Sequence, residues 1–213
     1  MINESVDLTC VLCAPSGAGK STVINHMLSN YGNILPPIFL SVSDTTRAPR
    51  PGEIDGVSYN FITREQFEYN IKNNRYLEWA EYTDNHYGTP KDPVEQYGNS
   101  HIILLELEVQ GARQVKEALP DTIFVFLLPS DLAKMEQRLR KRDTETEESI
   151  QKRMNAARLE LASLDEFDYI VFNDIVETAA FELASILQNE LCRYKRRSAR
   201  LNRQILEEYS RDW

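Results

Sequence analysis

No apolar run in this chain approaches the ~20 residues that a helix needs to cross a bilayer. Met1 to Asp7 lack the basic-then-apolar pattern of a secretory leader. No membrane partner is therefore expected, and the expected compartment is the cytoplasm. Positive charge is also scarce. Against 33 Asp and Glu stand 24 Lys and Arg, for a net charge of -9, which is the wrong sign for a surface that holds a nucleic acid backbone. No nucleic acid partner is expected, and any anion site must be built locally. Cysteine is limited to three, an odd number that speaks for thiols rather than a disulfide framework. Cys10 and Cys13 are spaced like half a zinc site, yet no second ligand pair follows, so core packing is their expected use. The histidines His26, His86 and His101 are scattered, and no Ser/His/Asp or Cys/His constellation is present.

What is present reads as a soluble packed fold. With 42% hydrophobic and 27% charged residues in 213, the chain can bury a sizeable core. One domain spanning 1–213 is expected. Short apolar runs at Leu8–Cys13, His101–Leu107, Thr122–Leu128 and Asp168–Phe172 are each followed by a helical pattern, which predicts an α/β fold with a parallel sheet flanked by helices. Between residues 38 and 97 the character changes. Val57–Ile62 reads as an aromatic-rich strand, Glu65–Asn74 as a helix and Tyr76–Thr83 as an extended piece, which predicts a small mixed α/β insert. Leu132–Arg142 and Glu147–Ser163 read as two surface helices joined through Asp143–Thr146. The basic end, 193–213, reads as a helix. Leu201, Ile205, Leu206 and Tyr209 recur there at helical spacing, leaving a solvated helix and a subunit contact as alternatives.

Ala14-Pro15-Ser16-Gly17-Ala18-Gly19-Lys20-Ser21 fits G-x-x-x-x-G-K-[ST] except that Ala14 replaces the first glycine. It follows a predicted strand and opens a predicted helix, the arrangement that makes such a loop a phosphate cradle. Gly17 and Gly19 permit a close backbone approach that aims N–H groups at a phosphate lying at the helix N-terminus. Lys20 would supply a point charge on the β- and γ-oxygens, and Ser21 a hydroxyl to Mg²⁺.

Arg47 and Arg50 sit three apart on a proline-stiffened loop, Ser41 to Glu53. Two planar guanidinium forks there suit one phosphate monoester, although a solvated charged loop would explain them nearly as well. At this stretch the chain resembles the guanylate kinase family. The resemblance runs in order through Asp55–Phe61, Tyr76–Glu81, Tyr87-Gly88-Thr89, Val109–Ala112 and Val171–Asp174. It implies a P-loop nucleoside monophosphate kinase fold: a core over 1–37 and 98–192, a helical lid at about 130–155, and a GMP-binding subdomain over 38–97.

The resemblance also implies roles. Ala14 through Thr22, with Arg138, Arg142 and Asn173, would bind ATP, Asn173 at the adenine edge. Arg47, Arg50, Tyr59 and Tyr87 would bind the GMP phosphate, while Ser43, Glu78 and Thr89 would read the guanine. Lys20, Arg47, Arg138, Arg142 and Arg153 would surround the transferring phosphoryl group. Glu106 and Glu108 would organise magnesium waters and the GMP-side arginines. Without the family, Glu78 would read as an exposed helix-flanking carboxylate, and helix-borne arginines as surface charges.

The activity implied is transfer of the γ-phosphate of ATP to GMP, and to dGMP, with Mg²⁺ accompanying ATP. The rival is a catalytically inactive module of the same family that binds phosphopeptides. The chain departs from the family pattern at Ala14, at Glu108, where Asp is common, at Ile175, where an acid often stands, and at Lys141 and Asp143, where glycines are common.

Overall fold

Chain order in the computed structural model runs β1 (Leu8–Cys13), α1 (Lys20–Tyr31), β2 (Ile38–Leu40), β3 (Asp44–Thr45), β4 (Asn60–Phe61), α2 (Arg64–Lys72), β5 (Tyr76–Tyr82), β6 (Asn85–Pro90), α3 (Lys91–Tyr97), β7 (Ile102–Leu107), α4 (Val109–Ala118), β8 (Ile123–Leu128), α5 (Leu132–Arg140), α6 (Glu147–Leu161), β9 (Tyr169–Phe172) and α7 (Val176–Glu190). The structure describes residues 6, 8–15, 17–82, 84–140, 147–193 and 196. Five strands form a sheet in the order β2-β7-β1-β8-β9, every pairing parallel. A parallel strand needs a crossover to reach its neighbour, and the crossover helices cover both faces.

That double cover explains the unbroken apolar runs. On β1, Cys10 and Leu12 face a cluster that holds Val23, Ile24 and Met27 of α1 with Leu183 and Leu187 of α7. Val11 and Cys13 face the opposite cluster with Val94 of α3, Val115 of α4 and Phe126 of β8. The two thiols thus lie on opposite sides of the sheet and cannot share one metal. Burial pushes both well above the ordinary thiol range, Cys13 to about 12, so both serve as small core residues.

The second sheet, β4-β3-β6-β5, belongs to the insert. Asp44 on β3 is buried and accepts hydrogen bonds from Tyr76 Oη and Asn60 Nδ2, both at 2.8 Å. Asn70 of α2 donates to Tyr76 Oη at 3.1 Å, so a polar network joins helix to sheet inside the insert. Helix α2 starts where Thr63 caps the Gln66 N–H.

The insert is narrower than the sequence suggested. β2 pairs with β7 in the main sheet, and Val94 and Tyr97 of α3 pack into the main core, so the edges drawn at 38 and 97 move inward. The strand expected over Val57–Ile62 contracts to Asn60–Phe61, because Gly56 at φ 73 turns the chain and Ser58 folds back onto Ile54. Helices α5 and α6, where the lid is expected, share a small core of Met135, Ile150, Met154 and Ala157. Arg140 bonds both Glu136 and Glu147 and so bridges the two helices. The junction 141–146, with Lys141, Arg142 and Asp143, lies outside the described residues, as does the side chain of Arg138. Of the basic C-terminal segment only Arg193 and Arg196 are described, the latter donating to the Asp121 carbonyl at 2.7 Å. Among the described residues no helix is long and apolar enough to cross a membrane.

Candidate active site

In an open parallel sheet, ligand sites form beyond the carboxyl ends of the strands, and two cavities lie there. The first, about 270 Å³, opens over the loop between β1 and α1. Gly17 and Gly19 have φ values of 89° and 88°, a left-handed region that would strain any residue with a Cβ. Ala14 needs no such freedom: its φ is negative and its methyl is buried in the core cluster. The loop therefore tolerates the missing first glycine. Pro15, Gly17, Gly19, Lys20, Ser21 and Thr22 line the cavity. Ala18 is buried beneath it, its N–H bonded to the Pro15 carbonyl at 3.0 Å. Ser16 lies outside the described residues.

The second cavity, about 320 Å³, is lined by Ser43, Arg47, Arg50, Tyr59, Glu78, Tyr87 and Glu106 among others. Arg47 is held by several partners at once. Its guanidinium makes two 2.9 Å bonds to Glu53, donates to the Ala48 carbonyl and stacks 5.4 Å from the Tyr59 ring. Glu53 also accepts the Arg50 N–H at 2.7 Å, and its carboxyl is held below the usual range mainly by Arg47. Sequence reasoning gave Glu53 no role, because the pairing appears only when the proline-rich loop folds back on itself.

Glu78 corrects the reading of its residues taken alone. It stands on a strand, not beside a helix, and is only 6% exposed. Thr89 across the hairpin donates to its Oε1 at 2.7 Å. Burial pushes the Glu78 carboxyl upward, against the hydrogen bonds from Thr89 that pull it down. Thr89 itself is 1% exposed and off the cavity wall. Its hydroxyl proton is donated to Glu78, so it orients that carboxylate.

Lys20, Glu108 and Arg153 line both cavities, whereas Glu106 lines only the second. Glu108 closes β7 at the start of α4 and stands at the junction; Lys20 Nζ lies 3.4 Å from the Leu107 carbonyl. Glu160 on α6 also lines the first cavity. Its carboxyl is pushed up to about 7, first by burial and next by the charge of Glu108, with Lys20 pulling it back. No sequence motif pointed to Glu160.

Asn173 is 1% exposed, and its Nδ2 donates to the Ala18 carbonyl at 2.6 Å, so it props the loop from beneath. Its neighbour Asp174 accepts the Ser130 N–H and bonds Lys134 at 3.0 Å, fastening the root of α5. Those bonds hold its carboxyl down at about 2.

A glycine loop at a helix N-terminus, joined through a lysine and a lid arginine to an arginine-lined second cavity, defines a P-loop nucleoside monophosphate kinase. The comparisons with known proteins narrow that class. The guanylate kinase family model matches residues 7–190. The guanylate kinase of Desulfitobacterium hafniense is 47% identical over 92% of this chain and 96% of its own length. That of Carboxydothermus hydrogenoformans is 46% identical over 87% and 90%. The crystal structure of guanylate kinase from Anaplasma phagocytophilum superposes with a TM-score of 0.72 at 30% identity, covering 92% of each chain. The chain belongs to the guanylate kinase family.

Proposed function

We propose that this guanylate kinase transfers the γ-phosphate of ATP to GMP through the two cavities, with the reacting atoms at their junction. The observation that carries the assignment is the sharing of Lys20, Glu108 and Arg153 by both cavity walls. In this reading ATP phosphates lie over Gly17, Gly19 and the first turn of α1, where N–H groups and the helix dipole favour an anion. Lys20 follows the β- and γ-oxygens. The GMP phosphate lies between Arg47 and Arg50, with Tyr59 and Tyr87 beside it. One phosphate oxygen attacks the γ-phosphorus, the bond to the ADP oxygen breaks, and the leaving charge stays on ADP.

No general base is needed. With a second pKa near ~6, the acceptor phosphate is already largely a dianion at neutral pH, so catalysis is positioning plus electrostatic stabilisation. Arg153, with Arg138 and Arg142 from the lid, would meet the charge that spreads over the equatorial oxygens. Guanine would present N1–H and N2–H₂ to the Glu78 carboxylate, and Ser43 would serve O6 or N7. Adenine offers no such donor pair.

The residues present suit Mg²⁺. Ser21 is exposed on the cavity wall, and Glu106, Glu108 and Glu160 add only hard oxygen donors. Among the described residues no group of three or more potential ligands is assembled to hold a metal by itself, as fits an ion held chiefly by nucleotide phosphates. When bound, it would neutralise charge on the β- and γ-oxygens. The presence of Lys20, Ser21, Arg138 and Arg142 in the sequence supports an active enzyme over a phosphopeptide-binding module.

The deciding experiment is a coupled assay of ADP release with GMP, dGMP, AMP and UMP as acceptors. Turnover with GMP and dGMP but not AMP or UMP is expected. No ADP release with GMP would overturn the assignment.

A further inference from the structure

A carboxylate that reads a base edge must be held at a fixed height, and Glu78 is bounded from the core as well as from its own hairpin. The core element concerned is α4, whose first turns face β5. Gly111 there is buried and shares the second cavity wall with Glu78. A methyl group placed on its Cα would lie 2.6 Å from Glu78 Oε2 and 3.1 Å from the carboxyl carbon. Three residues on, hence on the same helix face, Gln114 makes two bonds to the main chain of Trp79. It accepts the Trp79 N–H at 3.2 Å and donates to the Trp79 carbonyl at 2.8 Å. Trp79 directly follows Glu78, so α4 clamps the strand one residue away from the side chain for which it leaves room.

We propose that Gly111 is a specificity-determining residue for the acceptor nucleotide and that Gln114 is the positioning residue that sets the height of Glu78. The proposal rests on the reading of Glu78 as the guanine reader. Glycine inside a helix is less stable than alanine, so α4 alone gains nothing from Gly111. The vacated space is taken by the Glu78 carboxylate. Because that carboxylate ends a flexible side chain, Gly111→Ala is absorbed by moving it, not by moving backbone. The fold survives, and the carboxylate no longer meets two base donors at hydrogen-bonding distance and angle together.

The test uses the full chain, with steady-state constants for GMP, AMP and ATP and a melting temperature for each of Gly111→Ala, Glu78→Gln, their double variant and Gln114→Met. Gly111→Ala is expected to raise KM for GMP by about tenfold and to lower the preference for GMP over AMP by a similar factor. Its KM for ATP should stay within about twofold and its Tm should not fall. In the Glu78→Gln background Gly111→Ala should add less than about twofold, because the two act through one carboxylate.

Gly111→Ala kinetics like the parent's, alongside a collapse in Glu78→Gln, would overturn the proposal and spare the reading of Glu78. An unaffected Glu78→Gln would overturn both. If Gly111→Ala lowers Tm by more than about 5 °C, the decision passes to Gln114→Met, which alters no helix glycine. A raised KM for GMP with ATP constants unchanged supports the clamp, and equal changes on both sides sink it.

Discussion

The two cavities are built in different ways. Around the acceptor cavity, side chain braces side chain: Arg47 on Glu53, Thr89 on Glu78, Asp44 on Tyr76 and Asn60. The donor cavity has a floor of backbone, and its charged side chains, Lys20, Glu108, Arg153 and Glu160, come from three separate parts of the chain. The second cavity is thus held by side-chain pairs, as suits the proposed discrimination of one base from another. In the proposed reading the first cavity relies on N–H groups and charge, as suits phosphates that every nucleoside triphosphate carries.

Substitutions can break this contrast. The largest effect is expected from Glu78→Gln, which keeps the volume but turns one acceptor into a donor facing a donor. Sites built on such bonds lose up to about 10⁴ in discrimination, so kcat/KM for GMP should collapse while KM for ATP holds, as steady-state kinetics with both substrates varied will show. Loss of GMP activity by less than about threefold would remove Glu78 as the base reader. Next comes Lys20→Ala, which removes the point charge at the junction. A fall in kcat of at least about 10²–10³ is expected, with Tm and GMP binding by calorimetry unchanged. A matching loss of GMP affinity would blur the division between the cavities.

Glu53→Gln acts at one remove, by freeing Arg47 from its bidentate partner. KM for GMP should rise about tenfold with kcat little changed, roughly 1.4 kcal/mol of uniform binding. A change confined to kcat would show that Arg47 acts in the transition state rather than in holding the acceptor.

How much of this could be read from the sequence follows from the same contrast. The donor floor is contiguous, so Gly17, Gly19 and Lys20 declare themselves by spacing alone, and the βα alternation that frames them gives the parallel sheet. The acceptor braces join residues far apart. Nothing near Glu78 in the chain announces that Thr89 and Gly111 enclose it, and a carboxylate on an aromatic-rich segment reads locally as a surface charge. The contact of Asn173 with the loop is hidden for a related reason: its partner Ala18 is 155 residues away. The edges of the insert were drawn too wide because apolar residues of β2 and α3 pack equally well, by pattern, on either sheet. Only the three-dimensional pairing with β7 assigns them to the core.

The smallest effect sharpens the donor side and is a pH dependence. In the unfolded chain the Glu160 carboxyl titrates near ~4.3, and in the folded protein it is pushed up to about 7. Its contribution to stability is therefore complete below the unfolded value and is lost as pH rises through about 7, because the folded protein must then ionise a half-buried acid beside Glu108. Thermal melts of the nucleotide-free protein from pH 5 to 7.5 should decline by about 2–4 °C more in the parent than in Glu160→Gln. Parallel curves would mean that water reaches Glu160 freely.

Asn173 and Asp174 leave β9 on consecutive residues, one fastened to the phosphate loop and the other to the root of the lid. The loop under the first cavity and the root of α5 therefore hang from a single peptide step, a Cα separation of about 3.8 Å. Their relative height does not depend on the length or packing of α7, or on most of β9. What it cannot survive is a change of phase. Strand side chains alternate between faces, so a one-residue slip of β9 against β8 would present to the Ala18 carbonyl either Asp174, which repels it, or Phe172, which cannot donate to it. A single insertion or deletion within the four residues of β9 would thus do more harm to catalysis than a much longer change in the helix that follows.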